Sequence, residues 1–187
     1  MKSYAMKNLA TARQSAERLA KTLAEIGYQK IVLAESCTCG MAAAMLGGVP
    51  GISNFLCGSF VTYRVAAKQD WLGIDPERLK EFTAESIEAS QDMALAALEK
   101  TPEATWSATI TGHLGPTDAE TDGTVYLCVA VRAFSEDDDG SEQCFVRADH
   151  ELKLQSRDRV DRQTEAAGLL LQHLDRYVRE MLDGEQG

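Results

Sequence analysis

Residues 30–46 read KIVLAESCTCGMAAAML, and this stretch decides the fold. Residues 30–34 form a short, nearly continuous apolar run, which is typical of a strand buried on both faces of a parallel sheet. The turn ESCTCG follows at once, and MAAAML after it is rich in residues that favour a helix. The stretch therefore predicts a buried strand, a tight turn and a helix.

The segment before this strand predicts a first helix. Its apolar residues recur three and four positions apart, which places them in one stripe along a helix, and Gly27 is suited to end that helix. The stripe consists of Leu9, Ala12, Ala16, Leu19, Leu23 and Ile26.

The middle of the chain repeats the alternation of strand and helix. Strands are predicted over 58–63 and 105–111, with a helix over 66–72 that Gly73 closes. Asp75 is placed to cap a helix that has Pro76 at its first position, and Thr83 to cap the next one. The buried face of that next helix is predicted to carry Ile87, Ala94 and Leu98.

The last third predicts a hairpin and a closing helix. Strands over 123–131 and 144–152 flank an acidic turn at 136–140. The helix is capped by Ser156, and its buried face holds Val160, Ala167, Leu171, Leu174 and Val178. The order of elements predicts an α/β fold, a three-layer α/β/α sandwich around a mixed, mainly parallel sheet.

Composition limits the class of protein. The 187 residues suit a single domain over 1–187, and the net charge of −10 disfavours nucleic acid as a partner. We find neither a signal peptide nor an apolar run long enough for a membrane span, so we expect a cytoplasmic protein that does not bind membranes. The five cysteines lack metal-ligand spacing, so no structural metal is expected. No other cofactor is expected either.

Ligands of such sheets bind at the carboxyl ends of the strands. The loops at 35–40, after Tyr63 and at 111–116 are therefore the candidate site. Ser36 stands at the turn into a helix, where the amides of Cys37, Thr38 and Cys39 could hold a phosphate or a developing oxyanion. Ser36 as a plain helix cap is the alternative, and general preference favours it about two to one.

A serine nucleophile needs a base. His113 is the one histidine in a candidate loop, because His150 falls on the weak strand and His173 on the exposed side of the last helix. Lys68 is the rival, since the start of a helix disfavours a cation and lowers the pKa of a lysine there. Arg157 comes just after the expected cap Ser156, at a helix start that disfavours a cation. Either it binds an anionic ligand there, or it is a plain surface arginine.

Four motifs in order resemble one family. These are AESCTCG at 34–40, VTY at 61–63 with Lys68, TGHLGP at 111–116 and GTVY at 123–126. Together they resemble the carboxy-terminal domain of the competence/damage-inducible CinA proteins, which include stand-alone nicotinamide mononucleotide deamidases. The resemblance runs from about Leu9 to Tyr177.

The resemblance implies metal-independent hydrolysis of the carboxamide of nicotinamide mononucleotide to the acid and ammonia. It implies Ser36 as the nucleophile, with Lys68 and Tyr63 handling protons. Substrate contacts are implied for Cys37, Thr38, Gly40, Thr111, Gly112 and Arg157. It also implies a homo-oligomer whose ligand is a small nucleotide.

The surroundings of these residues depart from the family pattern. Cys39 replaces a glycine, Val65 an asparagine and His113 an isoleucine, while Gln155-Ser156 replaces Gly-Asp before the arginine. Two other functions therefore stay open: a non-catalytic nucleotide-binding or regulatory domain, and an esterase with a triad of Ser36, His113 and Asp118.

Overall fold

One five-stranded mixed sheet forms the centre of the molecule. The computed structural model describes residues 2–115, 118–134 and 142–184. The elements are α1 (Lys2–Ile26), β1 (Ile31–Glu35), α2 (Met41–Gly47), β2 (Leu56–Val61), α3 (Val65–Ala67), α4 (Pro76–Glu81), α5 (Ile87–Glu99), β3 (Trp106–Gly112), β4 (Thr124–Phe134), β5 (Glu142–Lys153) and α6 (Arg159–Gly184). A 3-10 turn over Ile52–Asn54 precedes β2, and a π-helical turn over Lys68–Leu72 continues α3.

The strand order β2-β1-β3-β4-β5 confirms the predicted α/β architecture. β1 pairs in parallel with both β2 and β3, whereas β4 runs antiparallel to β3 and to β5. Four of the five strands thus point the same way. The acidic turn predicted at 136–140 lies outside the described residues.

Helices cover both faces of the sheet, because strand side chains alternate between them. Ile31 and Leu33 of β1 join the core under α1, α2 and α6, while Val32 and Ala34 join the core under α4 and α5. All five residues of β1 are buried, which is the reason for its continuous apolar run.

Two predicted helix caps are wrong. Ser86, rather than Thr83, caps α5, since its hydroxyl accepts a hydrogen bond from the Ala89 amide at 3.1 Å. Asp158, rather than Ser156, precedes α6, and its carboxylate accepts from the Val160 amide at 3.0 Å. Both segments offer several hydroxyl or carboxylate groups within three residues, and tertiary contacts decide among them.

Most other predicted features of the helices hold, but Leu9 is 38% exposed and Ile87 is half-buried rather than buried. Gly27 ends α1 at a φ of 82°, and the Asp75 side chain caps α4 at the Glu77 amide. Val160, however, is 59% exposed rather than in the core, whereas Arg162 and Thr164 of the same helix are buried.

His173 is half-buried rather than exposed. Its ring lies 4.4 Å from the ring of His150 on β5, and its buried Nδ1 has no hydrogen-bond partner among the described residues. Burial, together with the smaller effects of the neighbouring His150 and Arg176, lowers the pKa of His173 to about 4. The folded chain therefore holds this ring neutral.

We expect acidification to destabilise the protein through His173. An unfolded histidine binds a proton near pH 6.5, so between pH 6.5 and 4 the unfolded state takes up more protons and stability falls with pH. Allowing for partial exposure, the loss at pH 5 is roughly 1–2 kcal/mol.

His173→Leu should remove that part of the loss. Denaturant unfolding of the wild type and of His173→Leu at pH 7.5 and at pH 5 measures it. An equal decrease in both proteins would contradict this account of His173.

Candidate active site

The carboxyl ends of β1, β2 and β3 meet at one edge of the sheet. Glu35 is the register partner of Val61 on β2 and of Ile110 on β3. The next residue of each strand is therefore at the same level: Ser36, Thr62 and Thr111. The Ser36 amide donates to the Ile110 carbonyl at 3.0 Å, and the Thr62 amide donates to the Glu35 carbonyl at 2.9 Å.

Ser36 is nearly buried, with 5% of its surface exposed. Its hydroxyl has no hydrogen-bond partner anywhere in the part of the chain that the structure describes. The hydroxyl of Thr62, fully buried beside it in the register, likewise has none there. Ser36 is thus not a side-chain cap of α2, whose start at Gly40 has no side-chain cap.

Lys68 is buried in the same region, with 1% of its surface exposed. Its ammonium group donates to the Ala84 carbonyl, and to Thr111 Oγ1 at 3.0 Å. Burial lowers the pKa of Lys68, against smaller opposing effects of Glu85 and Cys37. The predicted direction of the shift is right, but desolvation is its main cause rather than the helix dipole.

Thr111 and Ala84 complete a small hydrogen-bonded ring with Lys68. The Thr111 hydroxyl, itself fully buried, donates to the Ala84 carbonyl at 3.0 Å while it accepts from Lys68. The preceding residue, Thr83, has a φ of 70°, which is unusual for a β-branched residue. A strained turn thus presents the Ala84 carbonyl to the lysine.

Lys68 also starts the π-helical turn. The Ile74 amide donates to the Lys68 carbonyl at 3.2 Å, and Gly73 closes the turn at a φ of 80°. Single π-helical turns are rare and are frequent at functional sites.

The Glu35 carboxylate lies at the amino end of α2. One oxygen of its buried carboxylate accepts from the Thr38 hydroxyl at 2.7 Å and the Ala42 amide at 3.0 Å, and the other from the Ala43 amide at 2.9 Å and the Ser59 hydroxyl at 3.3 Å. A carboxylate therefore already compensates the positive end of this helix. The predicted contribution of that helix end to binding an anion is thereby reduced.

We expect Glu35→Gln to destabilise the fold by about 2–4 kcal/mol. Each carboxylate oxygen accepts from one backbone amide and one hydroxyl, so the glutamine nitrogen must face an amide donor in either orientation. Chemical denaturation gives the change in unfolding free energy.

The control for Glu35→Gln is Glu81→Gln, which removes the same charge at an exposed position. A loss below 0.5 kcal/mol in Glu35→Gln, the usual range for surface substitutions, would show that the carboxylate is not needed to hold this turn.

Two amides in the turn between β1 and α2 lack a backbone acceptor. Within the described residues, the amides of Cys37 and Thr38 donate to no backbone carbonyl. The prediction that the Cys39 amide is available as well is wrong, because this amide donates to the Ser36 carbonyl at 3.0 Å. Burial raises the pKa of the Cys37 thiol to about 12, so this sulfur stays protonated and is no nucleophile at neutral pH.

Glycine and its replacement shape this turn. Gly40 has a φ of 88° and precedes α2, while Cys39 before it is exposed and adopts a φ of 52°. Cys39 adopts a left-handed backbone conformation that favours glycine, so the family's glycine there has a conformational reason.

Gly112 at the end of β3 is required by packing, since a Cβ there would lie 2.5 Å from the Thr124 carbonyl oxygen.

Tyr63 lies at the rim, 51% exposed. Its hydroxyl accepts a hydrogen bond from Arg159 Nη2 at 2.8 Å. Arg157 is exposed and lines a cavity of about 500 Å³ together with Arg159 and Arg162. The structure therefore links α6 to Tyr63 through Arg159, and it places the predicted substrate contact Arg157 in the lining of the same cavity.

His113 and Asp118 do not form the triad considered above. Asp118 Oδ1 accepts from the Glu120 amide at 3.2 Å and from the Thr121 amide at 3.0 Å, and these bonds help lower the pKa of this carboxyl. No hydrogen bond joins it to His113 among the described residues. The Pro116 of the third motif lies outside them.

Sequence reasoning missed three groups of this site: the Glu35 carboxylate, the Ala84 carbonyl and Arg159. Glu35 carried a signal, since an acidic residue that ends a strand before a helix is suited to meet the amides of that helix. Arg159 carried the same signal as Arg157, a cation near a helix start. The Ala84 carbonyl carried none.

A family model, the CinA C-terminal domain, matches residues 12–172. The chain belongs to this family. A CinA-like protein of Solibacter usitatus is 39% identical over 106 residues, which are 55% of this chain and 25% of that protein. A CinA-like protein of Mycobacterium marinum is 40% identical over the same length and the same shares. This chain thus covers about a quarter of the length of these curated relatives.

Solved CinA structures share the fold. The competence/damage inducible protein CihA from Agrobacterium tumefaciens has a TM-score of 0.75 and 28% identity, covering 90% of this chain and 96% of its own. A competence or damage-inducible protein from Enterobacter asburiae has a TM-score of 0.72 and 25% identity, covering 89% and 98%. Among the described helices, none has the length and apolar character to cross a membrane.

Proposed function

We propose that this CinA domain is an amidohydrolase that deamidates nicotinamide mononucleotide, or a close analogue, to the nicotinate form and ammonia. The observation that carries the proposal is Lys68, a buried amine of lowered pKa at the strand edge where Ser36 follows β1. A lysine whose neutral form is favoured can act as a base for a serine hydroxyl. Membership of the CinA family supports the same chemistry.

The reaction would proceed in two stages. Neutral Lys68 takes the proton of Ser36 Oγ, which attacks the carboxamide carbon and forms a tetrahedral intermediate. The amides of Cys37 and Thr38 would donate to its oxygen. The carbon–nitrogen bond then breaks, the proton passes to the leaving nitrogen and ammonia departs from a Ser36 ester. Water, deprotonated by Lys68, cleaves that ester and restores the serine.

The remaining candidate residues take supporting roles in this proposal. Tyr63 passes protons between Lys68 and the leaving group, and Thr111 holds the lysine. Gly40 and Gly112 shape the backbone around the substrate, and Arg157 lies where an anionic group of the nucleotide would bind.

The test is ammonia release from nicotinamide mononucleotide by the purified chain, measured with a coupled ammonia assay. We expect equal amounts of ammonia and nicotinate mononucleotide. Thermal stabilisation by the nucleotide without any product would exclude the amidase.

A second function is favoured by two contacts. The ammonium of Lys68 donates to Ala84 and Thr111, and the Tyr63 hydroxyl is held by Arg159, so both proton-handling groups already have partners. A domain that only binds a nucleotide would show ligand-dependent stability without turnover. Turnover at ordinary enzymatic rates would exclude it.

We also propose a cytoplasmic homo-oligomer whose partner is a small nucleotide rather than a nucleic acid or a membrane. The net charge of −10 supports the exclusion of nucleic acid. Sedimentation velocity gives the oligomeric state.

A further inference from the structure

The cavity beside Tyr63 is lined by three arginines that differ in their partners. Arg162 is 7% exposed and forms a two-pronged ion pair with Asp122, with N–O distances of 2.7 and 2.8 Å. Its charge is therefore balanced. Arg157 and Arg159 form no ion pair with any carboxylate among the described residues.

Arg159 is held by neutral acceptors only. Its Nη1 donates to the Gly115 carbonyl at 3.1 Å and its Nη2 donates to the Tyr63 hydroxyl at 2.8 Å. Hydrogen bonds between a guanidinium and a charged oxygen are roughly twice as strong as those to neutral ones. A phosphate entering the cavity would therefore compete well for these two nitrogens.

The position of Arg159 supports the same conclusion. It is the first residue of α6, a 26-residue helix whose amino end disfavours a cation. Two carboxylates also line the cavity, but Asp122 pairs with Arg162 and Asp158 accepts from the Val160 and Asp161 amides, so among the described residues neither is paired with Arg157 or Arg159.

We propose that Arg159 is a specificity-determining and positioning residue that couples anion binding to Tyr63. In the ligand-free chain Arg159 holds the Tyr63 hydroxyl. A phosphate monoester in the cavity is bound by Arg157 and Arg159, and Arg159 then releases Tyr63 for proton transfer. The coupling to Tyr63 rests on the proposed amidase, whereas the anion site does not.

The anion site is tested with inorganic phosphate by titration calorimetry. We expect Arg159→Gln to weaken phosphate binding at least tenfold and Arg159→Lys, which keeps the charge but loses the fork of donors, to weaken it less. Arg13→Gln, an exposed arginine on α1, is the matched control for charge and should leave binding unchanged. Unchanged phosphate affinity in Arg159→Gln, or no binding by the wild type, would overturn the proposal.

The coupling is tested with two substrates. For nicotinamide mononucleotide, Arg159→Gln should raise KM at least tenfold. For the riboside, which lacks the phosphate, the same substitution should raise kcat, because Tyr63 is already free. Inorganic phosphate should stimulate riboside turnover by the wild type but not by Arg159→Gln. Equal losses on both substrates would overturn the coupling.

The two proposals fail in different ways. If the wild type releases no ammonia from either compound, the amidase fails and the phosphate titration alone decides on Arg159 as an anion ligand. If turnover is normal but Arg159→Gln binds phosphate as the wild type does, the inference on Arg159 fails and the amidase stands.

Discussion

Lys68→Met should reduce ammonia release from nicotinamide mononucleotide by about 10²–10⁴-fold, the usual contribution of a general base. The substitution keeps the length and apolar stem of the side chain but removes the amine. The Ala84 carbonyl keeps the hydrogen bond from Thr111, so no buried acceptor loses its last partner. We therefore expect the free energy of unfolding to stay equal or to rise.

The pH dependence of stability offers a second readout for Lys68. Burial lowers its pKa, so at pH values between the folded pKa and the ordinary 10.5 the unfolded chain binds more protons. Stability of the wild type should therefore gain from a rise in pH through this window, and Lys68→Met should lack that gain. In a plot of kcat/KM against pH, the limb that rises with pH should also be absent in Lys68→Met.

Lys80→Met is the control, because Lys80 is an exposed lysine on α4 paired with Glu77. It should keep full activity. Ammonia release by Lys68→Met within threefold of the wild type would remove this lysine from the mechanism.

Ser36→Ala should reduce ammonia release by about 10³-fold or more, since loss of a nucleophile removes the covalent route. The hydroxyl has no hydrogen-bond partner in the described part of the chain, so its loss leaves no buried group unsatisfied. We expect the unfolding free energy to change by less than about 0.5 kcal/mol.

Binding should survive in Ser36→Ala. The variant keeps the amides of Cys37 and Thr38, so nicotinamide mononucleotide should stabilise it against heat as it does the wild type. Ser53→Ala, at an exposed position, is the matched control. Wild-type rates in Ser36→Ala would refute the serine mechanism.

The spacing of apolar residues along the chain predicts most of this fold. The unbroken apolar run of β1 is buried on both faces, and the stripe from Ala12 to Leu23 lies in the core. These patterns report burial directly, so they could be interpreted from sequence. The helix caps failed because several suitable side chains compete within one turn.

The candidate site was predictable only in its residue types. The turn after β1 and a lysine of lowered pKa were predicted from the sequence, but the burial of that lysine was not. The ring of Lys68, Thr111 and the Ala84 carbonyl depends on a left-handed Thr83 that no residue pattern indicates. The contact between Arg159 and the Tyr63 hydroxyl was not predicted either. Side-chain direction at the start of α6 depends on the true cap, Asp158.

In the decisive experiment, the purified chain is incubated with nicotinamide mononucleotide, and ammonia and nicotinate mononucleotide are quantified together. We expect both products in equal amounts, at a rate on the order of 1–10³ per second and dependent on Ser36. Stabilisation of the protein by the nucleotide with neither product formed would contradict this expectation and would leave a binding domain.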